Sequence, residues 1–136
     1  MFILFTYPLI LIIEKTFKVT TDFTLLELSD TNRPLMKDLM NKAPGSFHHS
    51  LQVANLAEAA ASAIEANALL CRVGAMYHDI GKMVKPSYFI ENQSKGNDHD
   101  KLKAKMSALI IKAHVSDGVK MARKNNIPEL VVEFIR

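Results

Sequence analysis

Beyond residue 30 the apolar positions recur three and four residues apart, the period of a buried helix face, and no stretch there alternates as a strand does. Residues 1–13, MFILFTYPLILII, differ: 11 of the 13 are apolar and none is charged. Residues 16–30, TFKVTTDFTLLELSD, mix β-branched, aromatic and polar side chains without a clear period. Asp30-Thr31-Asn32 before Pro34 reads as a turn and a helix start, with a short helix over Leu35 to Lys42 that Pro44-Gly45 breaks. Ser46 is placed to cap the next helix, which runs to about Ala66 with Val53, Leu56, Ala60 and Ile64 on its inward stripe. His49, four residues before Val53, falls on that stripe, whereas His48 is turned about 100° away.

Asn67 predicts the cap of a third helix with Leu69, Leu70, Val73 and Met76 inward, ended by His78-Asp79-Ile80-Gly81-Lys82. Residues 84–100 read as a loop. Leu102, Met106, Leu109, Ile110 and Ala113 mark a fourth helix leading to His114, continued by Val115, Val119 and Ala122 after a bend near Asp117-Gly118. Pro128 opens a last helix that reaches Arg136.

A chain of 136 residues suffices for one helix-rich domain. Its charged fraction of 23% argues against disorder, and a net charge of +3 is too weak to imply a nucleic-acid polymer as partner. Cys71, the single cysteine, excludes an internal disulfide. The apolar run is shorter than the ~20 residues that span a bilayer, and neither a basic flank nor a small-residue cleavage site makes it a signal peptide. A buried element, an interfacial segment and the second half of a membrane helix all fit it. Pro8 is easier to place in a membrane helix than in a soluble one, and Glu14-Lys15 ends the run abruptly.

The candidate chemistry lies in His49, His78-Asp79 and His114, all at ends or inward faces of expected helices. Imidazole with carboxylate suits first-row divalent metals, and the two oxygens of Asp79 suit it to bridge a pair of ions. Such a pair hydrolyses phosphoesters. Taken singly, His49 or His114 fits a hydrogen-bonded core histidine better than a ligand; the His78-Asp79-Ile80-Gly81-Lys82 run favours function. Lys82 suits a phosphate contact and equally a solvated helix end. Tyr77, Tyr88 and Phe89 offer rings for stacking on a nucleobase, with core packing the better use of at least two. His48, on another face than His49, reads as an exposed histidine, His99 lies in a polar loop, and Lys101, Lys103 and Lys105 read as a solvated face.

His49, His78-Asp79 and His114 in this order resemble the HD superfamily of metal-dependent phosphohydrolases. The blocks LLELSDTNRPLMKDLMNKAPGSFHHSLQVANLAEAAASAI, RVGAMYHDIGKM, YFIENQ and SALIIKAHVSDGV are similar to the seven-transmembrane HD phosphodiesterases of the PgpH type, from about residue 8 to residue 136. The resemblance implies an all-α HD-domain helical bundle, incomplete on its C-terminal side. Residues 1–13 would end the last transmembrane helix, 14–42 form the membrane exit and first short helix, and 43–136 the N-terminal portion of the HD domain. It further implies a bacterial inner-membrane enzyme whose cytoplasmic HD domain hydrolyses cyclic di-AMP to pApA with two divalent ions, manganese or iron. His49, His78, Asp79 and His114 would be metal ligands, Asp79 and Lys82 the catalytic pair, and Lys82 with Tyr77 would contact the cyclic dinucleotide. Homo-oligomers stay open.

The family pattern continues, just after an isoleucine-rich helix like VVEFIR, with a His-His pair and a later aspartate, and the sequence reaches only Arg136, before them. The expectation is therefore a piece of a larger enzyme, inactive and poorly soluble alone. Two alternatives remain: a degenerate HD module that binds a nucleotide or partner without catalysis, and a hydrolase of another phosphoester.

Overall fold

A computed structural model describes residues 3–17, 19–94 and 96–136, without the side chains of residues 3, 4, 7, 11 and 15. Met1 and Phe2 of the apolar run and Lys18 of the exit segment lie outside the described residues. The described elements are helical throughout: α1 (Ile3–Phe17), α2 (Asp22–Leu28), α3 (Pro34–Lys42), α4 (Pro44–Ala63), α5 (Ala68–Tyr77), α6 (Ala104–Lys124) and α7 (Glu129–Val132), joined in places by short 3₁₀ turns. The all-α expectation holds.

Local chemistry explains the boundaries. The Asp30 carboxylate accepts the Asn32 amide at 2.8 Å, an Asx turn that delivers Pro34 to the first turn of α3. Asn67 caps α5 by accepting the Leu70 amide at 2.8 Å. Pro44-Gly45 begins α4 rather than breaking the chain ahead of it, because a first-turn proline gives up no helical hydrogen bond. Ala43 is the N-cap residue, and Ser46 is free to bond elsewhere. Residues 86–101 are less open than a loop: Pro86–Tyr88, Ile90–Asn92 and Asp98–Lys101 are 3₁₀ turns.

The core gathers Leu25 and Leu28 of α2, Met36 and Leu39 of α3, Met76 of α5 and Val132 of α7. Two expected helix faces are corrected. On α4 the buried residues are Ser46, Phe47, Ser50, Ala54 and Ala61, whereas Leu56 and Ile64 stand 72% and 76% exposed. On α6 the buried residues are Gly118 and Ala122, and Met106 and Leu109 are half exposed. In both helices the close packing runs through small residues, which let backbones approach where larger side chains would hold them apart. The bend expected at Asp117-Gly118 is absent: α6 runs unbroken through Gly118, where the glycine admits another segment instead of a kink.

At the N-terminal side α1 continues past Glu14 to Phe17. The Glu14 carboxylate accepts the Thr21 amide at 2.9 Å and the Thr24 hydroxyl at 2.8 Å, clamping α1 to the start of α2. No described helix is long and apolar enough to cross a membrane.

Candidate metal centre

Three elements supply the candidate ligands. His49 stands near the start of α4, one turn after Ser46, and is exposed rather than on a buried stripe as its spacing from Val53 suggests. His78 and Asp79 follow the end of α5 at Tyr77, where the chain tightens into the 3₁₀ turn Ile80–Val84. Adjacent residues on a continuing α-helix diverge by about 100°; the change of helix type lets both side chains reach one point. His114 comes from the middle of α6.

Asp79 is the hub, buried with 5% exposure. Its Oδ2 lies 3.1 Å from His78 Nε2 and 2.8 Å from Lys82 Nζ, while Oδ1 lies 3.7 Å from His114 Nε2. The Nδ1 atoms of His78 and His114 face the carbonyls of Ala75 and Ile111. A carbonyl only accepts, so each Nδ1 carries the hydrogen and each Nε2 is turned inward. Backbone partners of this kind orient metal-binding imidazoles. The His49 and His78 rings meet edge to face, with centroids 5.7 Å apart.

The approach of α6 depends on Gly81. A Cβ there would lie 1.8 Å from the His114 carbonyl oxygen and 2.6 Å from the Gly118 amide nitrogen. Only a glycine lets the turn after Asp79 lie against the α6 backbone at the ligand itself.

Burial opposes the charge of Asp79, but hydrogen bonds from His78 and Lys82 and their positive charge outweigh it and hold its carboxyl down at about 2. Burial likewise works against protonated His78, and Asp79 and the Ala75 carbonyl reverse the effect, so its pKa is raised. Lys82 is also raised: its burial is outweighed by Asp79 and Glu91.

Ligand atoms of His49, His78 and Asp79 lie within 4.8 Å of one another. Two ligands ~2.1 Å from a shared ion stand at most ~4.2 Å apart, so small side-chain adjustments close the group. Borderline imidazoles with a buried, ionised carboxylate fit a first-row divalent ion. The donor set fits the metal.

Comparison with known proteins agrees with this geometry. The profile of the HD domain family matches residues 46–136. The chain belongs to the HD domain family. This HD chain is 48% identical over 122 residues to the cyclic-di-AMP phosphodiesterase PgpH of Listeria monocytogenes serotype 1/2a (strain 10403S), covering 89% of this chain and 17% of that protein. It has the same identity and coverage against the cyclic-di-AMP phosphodiesterase PgpH of Bacillus subtilis (strain 168). The crystal structure of the L. monocytogenes PgpH HD domain in complex with cyclic-di-AMP superposes with a TM-score of 0.75 at 48% identity, over 78% of this chain and 50% of that one. The chain thus spans about a sixth of the length of these curated relatives.

Among the other candidate residues of the HD chain, Phe89 packs edge to face on His114 with ring centroids 5.5 Å apart. Tyr77 is fully buried and its hydroxyl donates to the Leu28 carbonyl at 3.0 Å, so its ring is enclosed in the core and has no face open to stack on a ligand. Phe89 is buried and Tyr88 half-buried against His99. His48 is exposed, and His99 faces the Tyr88 carbonyl. Lys82 does stand at the centre, though paired with protein carboxylates.

Sequence reasoning missed Glu91, Asn92 and the role of Ser46. The Ser46 hydroxyl donates to Glu91 Oε1 at 2.8 Å, and Asn92 both accepts the Ser46 amide and donates to its hydroxyl. The block YFIENQ pointed at the segment. Nothing local in it tells which distant residue a loop carboxylate meets.

Proposed function

We propose that this chain is the ligand-bearing N-terminal part of the HD domain of a phosphodiesterase that hydrolyses cyclic di-AMP to pApA. The observation that carries the reading is the convergence of His49, His78 and His114 on the buried, ionised Asp79. The names of the relatives supply the substrate. Two divalent ions at the centre, manganese or iron, would supply Lewis acidity toward a phosphodiester. Asp79 presents one oxygen on the side of His78 and the other on the side of His114, as a bridging ligand must. His49 and His78 would serve one ion and His114 the other. Lys82 brings a positive charge to the non-bridging phosphate oxygens.

Residues 1–13 complete the proposal as the end of a membrane helix, residues 14–42 as its exit and 43–136 as the HD portion, on the cytoplasmic side of a bacterial inner membrane. Exposed Phe5, Leu9, Ile12 and Ile13 support a lipid-facing α1.

The test is turnover of cyclic di-AMP by the intact protein with Mn²⁺, against the His78→Ala and Asp79→Ala variants. Both should abolish pApA formation, and activity surviving without the doublet would sink the mechanism. The 136-residue chain alone should bind Mn²⁺ weakly and give no turnover, because four donor side chains do not fill two coordination shells.

A further inference from the structure

The ammonium of Lys82 is held by two carboxylates, 2.8 Å from Asp79 Oδ2 and 2.7 Å from Glu91 Oε1. The side chain is only 15% exposed, and Nζ lies 5.0 Å from the centroid of the Phe89 ring. Asp79 is also the carboxylate a metal needs. Lys82 and a divalent cation therefore compete for the same oxygen, and a buried ammonium that loses its only partner is strongly disfavoured. Glu91 removes that penalty, because it keeps the ammonium paired when Asp79 turns to another cation.

Glu91 is itself fixed from the helix that bears His49. Ser46, one turn before His49, donates its hydroxyl to Glu91 Oε1 at 2.8 Å. Asn92 accepts the Ser46 amide at 3.0 Å. Gly45 brings the α4 backbone so close that a Cβ there would lie 1.8 Å from the Glu91 carbonyl oxygen. The second seat for Lys82 is thus built into the first turn of a ligand-bearing helix.

We propose that Glu91 is a positioning residue of the metal centre: it provides the alternative seat to which Lys82 retires when a divalent cation takes Asp79. The inference rests on the metal-centre reading above. It touches neither metal nor substrate, and acts through Lys82.

The test is Mn²⁺ affinity of the intact protein, followed by the electron paramagnetic resonance of free Mn²⁺, for the wild type, Glu91→Gln, Lys82→Met and the double variant. Glu91→Gln keeps the acceptor for Ser46 and should weaken binding about tenfold, the loss of one charge-assisted hydrogen bond. Lys82→Met removes the competing cation and should tighten binding. In the Lys82→Met background, Glu91→Gln should have no further effect, since a residue acting through Lys82 has nothing left to act on. An undiminished Glu91→Gln effect in that background would show direct ligation or a field effect and overturn the proposal. Unchanged affinity of the single Glu91→Gln variant overturns it as well. Absence of Mn²⁺ binding by the wild type would overturn the metal centre and this proposal together, a result distinct from either. Should Glu91→Gln not fold by circular dichroism, Ser46→Ala frees the same carboxylate without changing its charge. It should weaken Mn²⁺ binding by a smaller factor, and unchanged affinity there overturns the proposal.

Discussion

Asp79 and His78 form an acid–base couple in which each holds the other charged, the carboxyl lowered and the imidazole raised. The folded pKa of Asp79, about 2 against an ordinary 3.8, means that it stabilises the metal-free fold fully above pH 3.8, and that this contribution fades as pH falls toward 2. His78 has the opposite sign: its raised pKa contributes fully below 6.5 and is lost as pH rises through the folded value. The couple is at full strength between those limits. For the metal-free chain we expect stability to fall by roughly 2 kcal/mol between pH 4 and pH 2 on account of Asp79. Urea unfolding across that interval measures the slope. Asp79→Asn should be less stable at pH 5 and should show a shallower acid slope; equal slopes would remove Asp79 from the account.

Between elements, the decisive contact is the 3₁₀ turn Ile80–Val84 against α6. Gly81 and Gly118 face each other there, with a Cβ on Gly118 falling 3.2 Å from the Gly81 nitrogen and 2.8 Å from Ile135 Cγ2. The turn follows directly on Asp79 and α6 carries His114, so this backbone approach sets the distance between two proposed ligands. Gly81→Ala should push the elements apart, cost about 2–3 kcal/mol and weaken Mn²⁺ binding together with it. Thermal unfolding and a Mn²⁺ titration on one sample check both. Unchanged values would mean that the packing relaxes without moving His114. A second tie, the Tyr77 hydroxyl on the Leu28 carbonyl, holds α5 to α2 and explains why an aromatic residue adjacent to the ligand doublet serves the core. The residue before the doublet is thereby anchored in the core.

Across the molecule, two stretches of open apolar surface stand out among the described residues. Phe5, Leu9, Ile12 and Phe17 of α1 are exposed, each by more than half. A groove of about 440 Å³ lies along α4 and α5, lined by Val53, Ala57, Ile64, Cys71 and Phe134, with His78 also on its wall. Exposed apolar surface of this kind promotes association. The chain should therefore co-sediment with phospholipid vesicles and precipitate without detergent, and removal of residues 1–17 should abolish vesicle binding. A truncated chain that still sediments with vesicles would place the lipid-binding surface elsewhere.

Much of this was readable along the chain. The cap at Asn67, the turn at Asp30-Thr31-Asn32, the helix ending before the His78-Asp79 doublet and the ligand candidates all rest on chemistry within a few residues, and a linear sequence reports local chemistry directly. The His-Asp doublet and its flanking blocks were enough to identify the family. The inward faces of α4 and α6 were not readable, because periodicity shows that a helix has an apolar stripe but not which stripe another element covers. Gly118 illustrates the limit: within a helix pattern a glycine suggests a bend, and only the arrival of Gly81 reveals a close crossing. The pairing of Lys82 with Glu91, and of Glu91 with Ser46 some 45 residues earlier, was likewise decided by tertiary structure. Residue types alone determined which side chains of this protein are able to bind a metal. The packing of α4, α6 and one 3₁₀ turn around a buried carboxylate determined which of them meet, because convergence depends on backbones approaching at positions far apart in the chain.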